Sequence, residues 1–573
     1  MAVIIQRLEK FKTFETILIV DCTRALGETL GQFIAAVSGD GNGVDLQNRH
    51  GPIIAVRHQH PRKGEAVSAR PNETGGMESV WHATEPRLPA HTTQFPRGDH
   101  LDTVIAGAGL TGLTTAVLLA RAGHRVAVLE ARQPGAGTTG STTGKLSLLQ
   151  GRVLSGIRRH HTADVLRAYV DGNRAGQAWL LSYLEEHDIG YERRDAFTYA
   201  TTDTGRAALR AELDACRTAG LPVTWTEDIE LPFRASALRL PDQAQVRPLQ
   251  VLDTLHTELV AQGGLLCEGV RVTGAKAGPP VRVLTDRGEL TADRMILATG
   301  APILDRGGYF AKLTPLRSYA ATYRTSAPTL AGLYLSAEDN ARSLRTVLSV
   351  GGSWLMVGGN GHITGRAVSP AALMADLDRW TAEYFTGAER VHRWSAQDYQ
   401  SINRVPFVGE LPRGGGNIFV ATGFNKWGLT NAVAAGLNLS TQILGEPLPW
   451  ADKLSHRVTK PAGVASVATL VGGVAAATVQ GWIHAELQAL PAGLPTEGTA
   501  HVGRGFDGSP EAISTVAGRT CRLSAVCSHL GGVVGWNDAE LTWDCPLHGS
   551  RFAADGTRLE GPAVSDLPIK DRQ

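Results

Sequence analysis

Two short segments near the carboxyl end of the chain carry residue types that bind metal: Cys527-Ser-His529 and Cys545-Pro-Leu-His548. Fifteen residues separate His529 from Cys545, so each segment offers one thiolate and one imidazole. This ligand set suits a [2Fe-2S] cluster in which two Cys bind one iron and two His bind the other. A tetrahedral zinc site with the same ligands is the alternative, although a one-residue C-x-H spacing is unusual for zinc.

A second motif follows a short apolar run at 103–106: Gly107-Ala-Gly109-Leu-Thr-Gly112, which leads into a helix-like stretch. Gly107 permits a tight turn, Gly109 lets a pyrophosphate approach the backbone, and Gly112 lets helix and strand pack closely. A second strand-like run ends at Glu130, 18 residues after Gly112, where a carboxylate would accept hydrogen bonds from ribose hydroxyls. The pattern predicts dinucleotide binding at the helix N-terminus, and the alternative is a glycine-rich turn in an ordinary α/β unit.

Another glycine- and hydroxyl-rich loop, at 135–145, follows soon afterwards. Its backbone amides and the hydroxyls of Thr142 and Thr143, close to Lys145, could hold further phosphate or the edge of a flavin. Much later, a strand-like run at 296–300 ends in Ala-Thr-Gly. With these features the chain resembles the glycine oxidase/D-amino acid oxidase (DAO) superfamily of FAD flavoproteins.

The resemblance implies further flavin contacts in the run from Ala421 to Thr430, where a following helix would point its N-terminus at the flavin N1/C2 carbonyl. The helix dipole and the Lys426 ammonium would stabilise negative charge on a reduced flavin. A solvated surface charge is the alternative for Lys426, and a core position is the alternative for Trp427. The FAD-contacting positions expected after the glycine fingerprint and Glu130 are Thr142, Thr143, Lys145, Val272, Gly300, Gly423, Trp427 and Gly428.

The metal-binding segments, followed by Gly549-Ser-Arg-Phe552 and Asp555-Gly556, resemble the Rieske domain. In high-potential Rieske domains each ligand loop carries an additional Cys, and the two Cys form a disulfide. Gly532 and Leu547 stand at those positions here, and Phe552 stands where a Tyr hydroxyl is usual. Ser550 remains as a donor. Because fewer hydrogen bonds leave the added electron less stabilised, we expect a lower potential than in the disulfide-containing class.

Together, the two halves resemble FAD-dependent oxidoreductases of the glycine/D-amino acid oxidase type with a C-terminal Rieske domain. The resemblance implies a small electron donor, such as an amine or amino acid, that gives a hydride to the flavin, and a cluster that passes single electrons to an outside acceptor. Lys426 and Arg317 are the catalytic candidates, because an Arg suits a carboxylate. Structural salt bridging is the alternative for Arg317, and structural roles are the alternative for Tyr319 and His362.

Two other functions stay open on the sequence alone. One is an electron conduit or redox sensor that exchanges electrons with protein partners and has no organic substrate. The other is an oxygenase, which would need a two-His, one-carboxylate iron site; the sequence offers no convincing arrangement of that kind.

The predicted fold is α/β. It comprises a Rossmann-like FAD-binding domain with a DAO-type mixed-sheet substrate domain, plus a small C-terminal all-β Rieske domain. We expect the oxidoreductase over 77–455, a connector over 456–498 and the Rieske domain over 499–573. Residues 1–76 are polar and turn-rich beyond one apolar stretch and predict a dispensable or disordered extension; the alternative is a small separate domain.

Composition excludes several classes of protein. The 573 residues contain 56 Lys plus Arg and 55 Asp plus Glu, a net charge of +1 that gives no case for a nucleic-acid partner. Six cysteines cannot form a disulfide framework in a chain of this length, which favours a reducing compartment. The start lacks the pattern of a secretory signal. The uncharged run at 463–483 is long enough to span a bilayer but rich in Gly and Ala, so we expect a packed connector helix and a cytoplasmic protein.

Overall fold

A computed structural model of the protein describes residues 77–85, 93–349, 352–457, 461–491 and 493–570. The first 76 residues, for which the sequence predicts an extension, lie outside the described residues. The described part belongs to one compact unit, Gly76–Gln573, which holds both the dinucleotide motif and the Cys–His segments.

A largely parallel sheet, which we call the dinucleotide sheet, carries the glycine fingerprint at its centre. His100–Ala106 lies between Gly288–Leu297 and Val126–Leu129 and runs parallel to both. Val104 and Ile105 are fully buried, as expected for a strand covered on both faces. The remaining strands of this sheet are Leu265–Cys267, Val272–Lys276, Val281–Thr285, Phe407–Glu410 and Ile418–Thr422.

Helices pack on the dinucleotide sheet around one apolar core. The helix after the fingerprint spans Leu110–Arg121, and the helix after the last flavin motif spans Gly428–Leu444. Gly109 and Trp427 are the N-cap residues of these two helices. The other α-helices are Val80–Thr84, Val153–His160, Ala163–Glu186, Asp203–Thr218, Pro248–Ala261, Pro370–Tyr384, Pro449–Ser455 and Pro461–Leu487.

A second, mixed sheet, the substrate sheet, stands beside the first. Long antiparallel strands dominate it, and Leu333–Ser336 pairs in parallel with Glu192–Ala200. Its residues alternate between the core and a cavity, as the twofold period of a strand requires. Its other strands are Lys145–Leu146, Thr224–Thr226, Ser236–Gln245, Leu313–Arg324, Arg342–Ser349, Gly352–Ile363 and Glu389–Ser401.

The carboxyl end folds as two small antiparallel sheets with their own apolar core. The expected connector contains the helix Pro461–Leu487, and Trp482 and Ala485 of this helix pack into that core. In the described part of the chain, no helix is long and apolar enough to cross a membrane. The strands are Ala500–Arg504, Pro510–Val516 and Arg519–Ser524 in one sheet, and Gly535–Asn537, Thr542–Asp544, Arg551–Ala553 and Arg558–Glu560 in the other.

A buried charge network joins the C-terminal domain to the substrate sheet. Arg317 donates to Glu540 through Nε at 2.6 Å and through Nη2 at 2.5 Å, and Arg551 donates to the same carboxylate at 2.7 Å. The side chains of all three residues are less than a tenth exposed. Burial alone would raise the pKa of Glu540, but the two guanidinium groups outweigh it and hold that pKa well below its ordinary value. Glu540 therefore stays ionised and holds two arginines from two domains.

Glu540→Gln is expected to destabilise the protein by about 3 kcal/mol, because the buried Arg317 loses its close carboxylate partner, while Arg551 keeps Asp544 and Glu560. The measurement is urea unfolding of the cofactor-loaded protein. The control is Asp195→Asn, which breaks a half-exposed pair with Arg239 and is expected to cost less than about 1 kcal/mol. Equal losses in the two variants would contradict a special role for the network.

Candidate functional site

A cavity of about 860 Å³ opens at the carboxyl ends of the strands of the dinucleotide sheet. The glycine loop and Glu130 form one end of it, and Gly428 and Leu429 at the start of the helix Gly428–Leu444 form another part of the wall. In parallel sheets this edge is where ligands bind. The volume and the elongated lining suit a dinucleotide.

The glycine loop has the backbone geometry of a phosphate-binding turn. Gly107 has φ of +105°, and Gly109 directly precedes the first residue of the helix. A Cβ on Gly112 would lie 2.0 Å from the carbonyl oxygen of Gly107, whereas a Cβ on Gly109 would meet only Thr139 Oγ1 at 3.3 Å. Gly112 is thus required by the packing of the protein itself, and Gly109 leaves open space where a phosphate would approach.

Glu130 closes the loop from the end of its strand. One carboxylate oxygen accepts from the backbone N–H of Ala108 and the other from that of Arg132, both at 2.9 Å. The carboxylate therefore has a fixed orientation at the cavity wall. That is the arrangement that an acceptor for ribose hydroxyls needs.

The segment before the fingerprint builds part of the cavity, a role that sequence reasoning missed. Ser79 Oγ donates to the Gly140 carbonyl at 2.6 Å, and Trp81 Nε1 donates to the Thr142 carbonyl at 2.7 Å. These bonds hold the hydroxyl-rich loop against the cavity. In the sequence, the large apolar Trp81 was the signal that could have indicated this structural role.

A second cavity of about 360 Å³ shares a wall with the first. Asp398 and Lys426 line both cavities, and Tyr319 lines the smaller one. The hydroxyl of Tyr319 is buried and has no hydrogen-bond partner in the described part of the chain. A Cβ on Gly361 would lie 2.5 Å from Lys426 Nζ, so this glycine leaves the room that the ammonium occupies.

Asp398 and Lys426 lie together at the junction of the two cavities. The Asp398 carboxylate accepts from the backbone N–H of Lys426 and from its neighbour Tyr399. Burial raises the pKa of Asp398 to about 6, and burial lowers the pKa of Lys426, an effect that Asp398 opposes. Sequence reasoning gave Asp398 no role, because a single Asp within a strand has no signature of its own.

The structure brings most of the expected FAD positions to these two cavities. Gly107, Gly109, Glu130, Thr142, Val272, Gly300 and Gly428 line the larger cavity, and Thr142, Thr143, Lys145 and Trp427 line the smaller one. Gly112 and Gly423 lie behind the walls, where they allow close packing. Lys145 is buried and donates to the Tyr334 carbonyl at 2.5 Å and to Ser343 Oγ at 2.7 Å.

The other sequence candidates have structural partners. Arg317 lines the larger cavity but is held by Glu540 and by Ser395 Oγ at 2.5 Å. His362 Nδ1 donates to the Asn360 carbonyl at 2.9 Å, and its ring stacks on Tyr319 with ring centroids 5.7 Å apart. Lys426 is therefore the candidate cation that faces the smaller cavity.

The two Cys–His segments form adjacent hydrogen-bonded loops. In the first, the Cys527 N–H donates to the Gly532 carbonyl at 2.9 Å; in the second, the Cys545 N–H donates to the Ser550 carbonyl at 2.8 Å. The rings of His529 and His548 lie 5.0 Å apart. Among the described residues, no three His, Cys, Asp or Glu side chains are grouped to hold a single ion, and these four ligands stand as two pairs.

The four side chains fit a cluster that takes thiolate and neutral imidazole ligands. The hydrogen bond between the two Cys side chains lowers the pKa of Cys527 to about 6 and raises the pKa of Cys545, and burial lowers the pKa of His548 to about 3. His529 Nδ1 is buried and has no hydrogen-bond partner in the described residues, which is the state expected of a nitrogen that binds iron. A [2Fe-2S] cluster between the two loops would use these lone pairs.

The positions of the absent disulfide lie side by side. A Cβ on Gly532 would be 2.7 Å from the side chain of Leu547, so the Leu side chain fills the space that a second Cys would need. Phe552 is fully buried in the same core as Cys527 and Cys545. This core therefore surrounds the cluster site with apolar groups where other Rieske domains place a bridge and a hydroxyl.

A dinucleotide cavity on a parallel sheet, beside a domain with paired Cys–His loops, defines a flavin-dependent oxidoreductase that carries an iron–sulfur centre. Residues 102–441 match the family model described as FAD dependent oxidoreductase (DAO), and the chain belongs to this family. FAD and a Rieske-type [2Fe-2S] cluster are its cofactors.

Relatives cover both halves. The chain is 31% identical over 499 residues to YhfW of Bacillus subtilis (strain 168), named as a Rieske 2Fe-2S iron-sulfur protein; the match covers 86% of this chain and 97% of that one. A cytochrome b6-f complex iron-sulfur subunit of Synechococcus is 43% identical over 68 residues, which are 12% of this chain and 40% of that subunit. The crystal structure of glycine oxidase from Geobacillus kaustophilus shares the fold, with a TM-score of 0.53, 22% identity, and coverage of 61% of this chain and 96% of that one.

Gly109→Val is expected to abolish retention of FAD, because the added side chain occupies the space that the phosphate needs, while the chain itself meets little obstruction. The measurement is the flavin content of the purified protein alongside its iron content. Gly190→Val, at an open position with nothing within 4 Å, is the control. Normal flavin content in Gly109→Val would remove the glycine loop from the site.

Phe552→Tyr is expected to raise the midpoint potential of the cluster by about 40 mV, the equivalent of one hydrogen bond of about 1 kcal/mol to the reduced cluster. Redox titration followed by electron paramagnetic resonance (EPR) measures this. Phe506→Tyr, 93% exposed on the same domain, should leave the potential unchanged. A wild-type potential already in the range of disulfide-containing Rieske domains would contradict the expected effect of the missing disulfide and hydroxyl.

Proposed function

We propose that this enzyme oxidises a small amine or amino acid by hydride transfer to FAD, and that the electrons leave one at a time through the Rieske cluster to an outside acceptor. When bound, FAD supplies the change from two-electron to one-electron chemistry, and the cluster supplies single-electron transfer. The protein residues bind and orient the donor, exclude water and separate the donor from the acceptor.

The observation that carries the proposal is that the C-terminal domain forms part of the flavin cavity. Leu559 to Val564 line the 860 Å³ cavity together with Gly107 and Gly300. Ala563 of this stretch lies in the same apolar core as Cys527 and Cys545 of the cluster loops. Electron exchange between cofactors on two sides of one wall needs no encounter with another protein.

The smaller cavity supports the choice of donor. Its walls bring an ammonium, a carboxylate and an unpaired hydroxyl together at Lys426, Asp398 and Tyr319. Opposite charges that line one small cavity favour a small ligand that carries an amine, a carboxylate or both. The volume of about 360 Å³ suits a small molecule as the donor.

Anaerobic mixing with a panel of amines and amino acids is expected to bleach the flavin absorption for at least one member. Lys426→Met should slow that bleaching about tenfold or more, since a charged hydrogen bond is lost, while Lys453→Met on an exposed helix should not. Because the pKa of Asp398 is raised to about 6, its carboxylate is ionised only above about pH 6. The bleaching rate should therefore fall as the pH drops through 6, and Asp398→Asn should remove that fall.

Failure of the whole panel to bleach a flavin that dithionite reduces normally would contradict the donor assignment. It would favour the alternative, an electron conduit or redox sensor that serves protein partners. If the flavin of Lys426→Met bleaches at the wild-type rate, the donor site lies outside the smaller cavity.

A further inference from the structure

The histidine edge of the cluster site faces the oxidoreductase domain. The side chain of His529 is 2% exposed, and His548 is 6% exposed. Phe310 stands edge-on to both rings, with centroids 6.1 Å from His529 and 5.6 Å from His548. The residue that covers these ligands therefore comes from the chain segment before the strand Leu313–Arg324, outside the Rieske domain.

Asp305 makes the polar contact of this edge. Its carboxylate lies 3.1 Å from His529 Nε2, while Nδ1 of the same ring is the nitrogen without a partner. One nitrogen is thus left for iron and the other is held by a carboxylate. A carboxylate on the outer nitrogen fixes the ring orientation and makes the inner nitrogen a stronger ligand.

Close contacts join the oxidoreductase domain to the second ligand loop, which carries His548. Gly549, next to the ligand His548, has φ of +75°, and a Cβ there would lie 2.5 Å from Pro315 Cβ. A Cβ on Gly365 would lie 2.8 Å from the nitrogen of Pro546, inside the second ligand loop. Gln397 Nε2 also donates to the Gly549 carbonyl at 2.8 Å. The oxidoreductase domain therefore touches the cluster loops directly on several sides.

We propose that Asp305 is a positioning residue of the cluster: it belongs to the oxidoreductase domain, yet it orients the ligand His529 and stabilises the oxidised cluster. A negative charge beside the ligand favours the state of the cluster with more positive charge. The potential of the cluster thus depends on the docking of the two domains. The proposal does not depend on which donor reduces the flavin.

The test compares Asp305→Ala and Asp305→Asn in the full-length, cofactor-loaded protein. The readout is an EPR-monitored redox titration with dithionite at one fixed pH, together with the EPR line shape. Asp293 offers a matched control, because its carboxylate also lies 3.1 Å from a histidine Nε2, that of His100, on the surface of the dinucleotide sheet. Asp293→Ala and Asp293→Asn make the same chemical changes there.

Asp305→Ala is expected to raise the ratio of reduced to oxidised cluster about tenfold at a given potential, a shift of about 59 mV, since a charged hydrogen bond is lost. Asp305→Asn, which keeps a side chain of the same size, should shift the potential in the same direction and keep the wild-type EPR line shape. The Asp293 variants should match the wild type. Potentials in both Asp305 variants equal to the wild type would overturn the proposal; if Asp305→Ala loses its cluster, Asp305→Asn alone decides.

Because the titration uses dithionite, its result is separate from that of the donor panel. A protein that no amine or amino acid reduces would still show the shift in the Asp305 variants. A protein that is reduced by a donor but shows no shift would keep the proposed function and lose the role of Asp305.

Discussion

The ion pairs of Glu540 with Arg317 and Arg551 are the interaction on which the rest of the structure depends. A buried carboxylate that satisfies one arginine from each domain tolerates few relative positions, because any displacement leaves a charge unpaired in an apolar region. The network contributes specificity of docking more than net stability. It sets the C-terminal domain against the substrate sheet so that one wall of the flavin cavity and the cover of the histidine ligands are made at the same time.

The docked arrangement gives the cluster surroundings unlike those of a Rieske domain that meets its partner in solution. Leu547 fills the place of a disulfide, and Phe552 offers no hydroxyl. A carboxylate from the other domain meets the ligand His529. Each of these features leaves an added electron less stabilised. We therefore expect a cluster potential below that of the disulfide-containing class.

Sequence patterns identify sites whose residues lie close together along the chain. The four expected cluster ligands and the glycine fingerprint can be recognised in the sequence because each motif lies within a single loop of fixed spacing. Both cofactors can be predicted from these motifs. Contacts between distant segments produce no recognisable pattern in the sequence. The pairing of Arg317 with Glu540, 223 residues apart, gives a candidate substrate residue a structural partner as well, and nothing in either neighbourhood of the sequence predicts it. Asp305 and Asp398 have ordinary local sequences for the same reason.

The central claim is that electrons pass between the two cofactors inside one chain. Its most direct test is to reduce the flavin photochemically under anaerobic conditions and to follow the appearance of the reduced cluster at several protein concentrations. The structure predicts a rate that does not change with protein concentration, because the two sites share a wall. A rate that rises in proportion to concentration, or a cluster that stays oxidised beside a fully reduced flavin, would contradict the account.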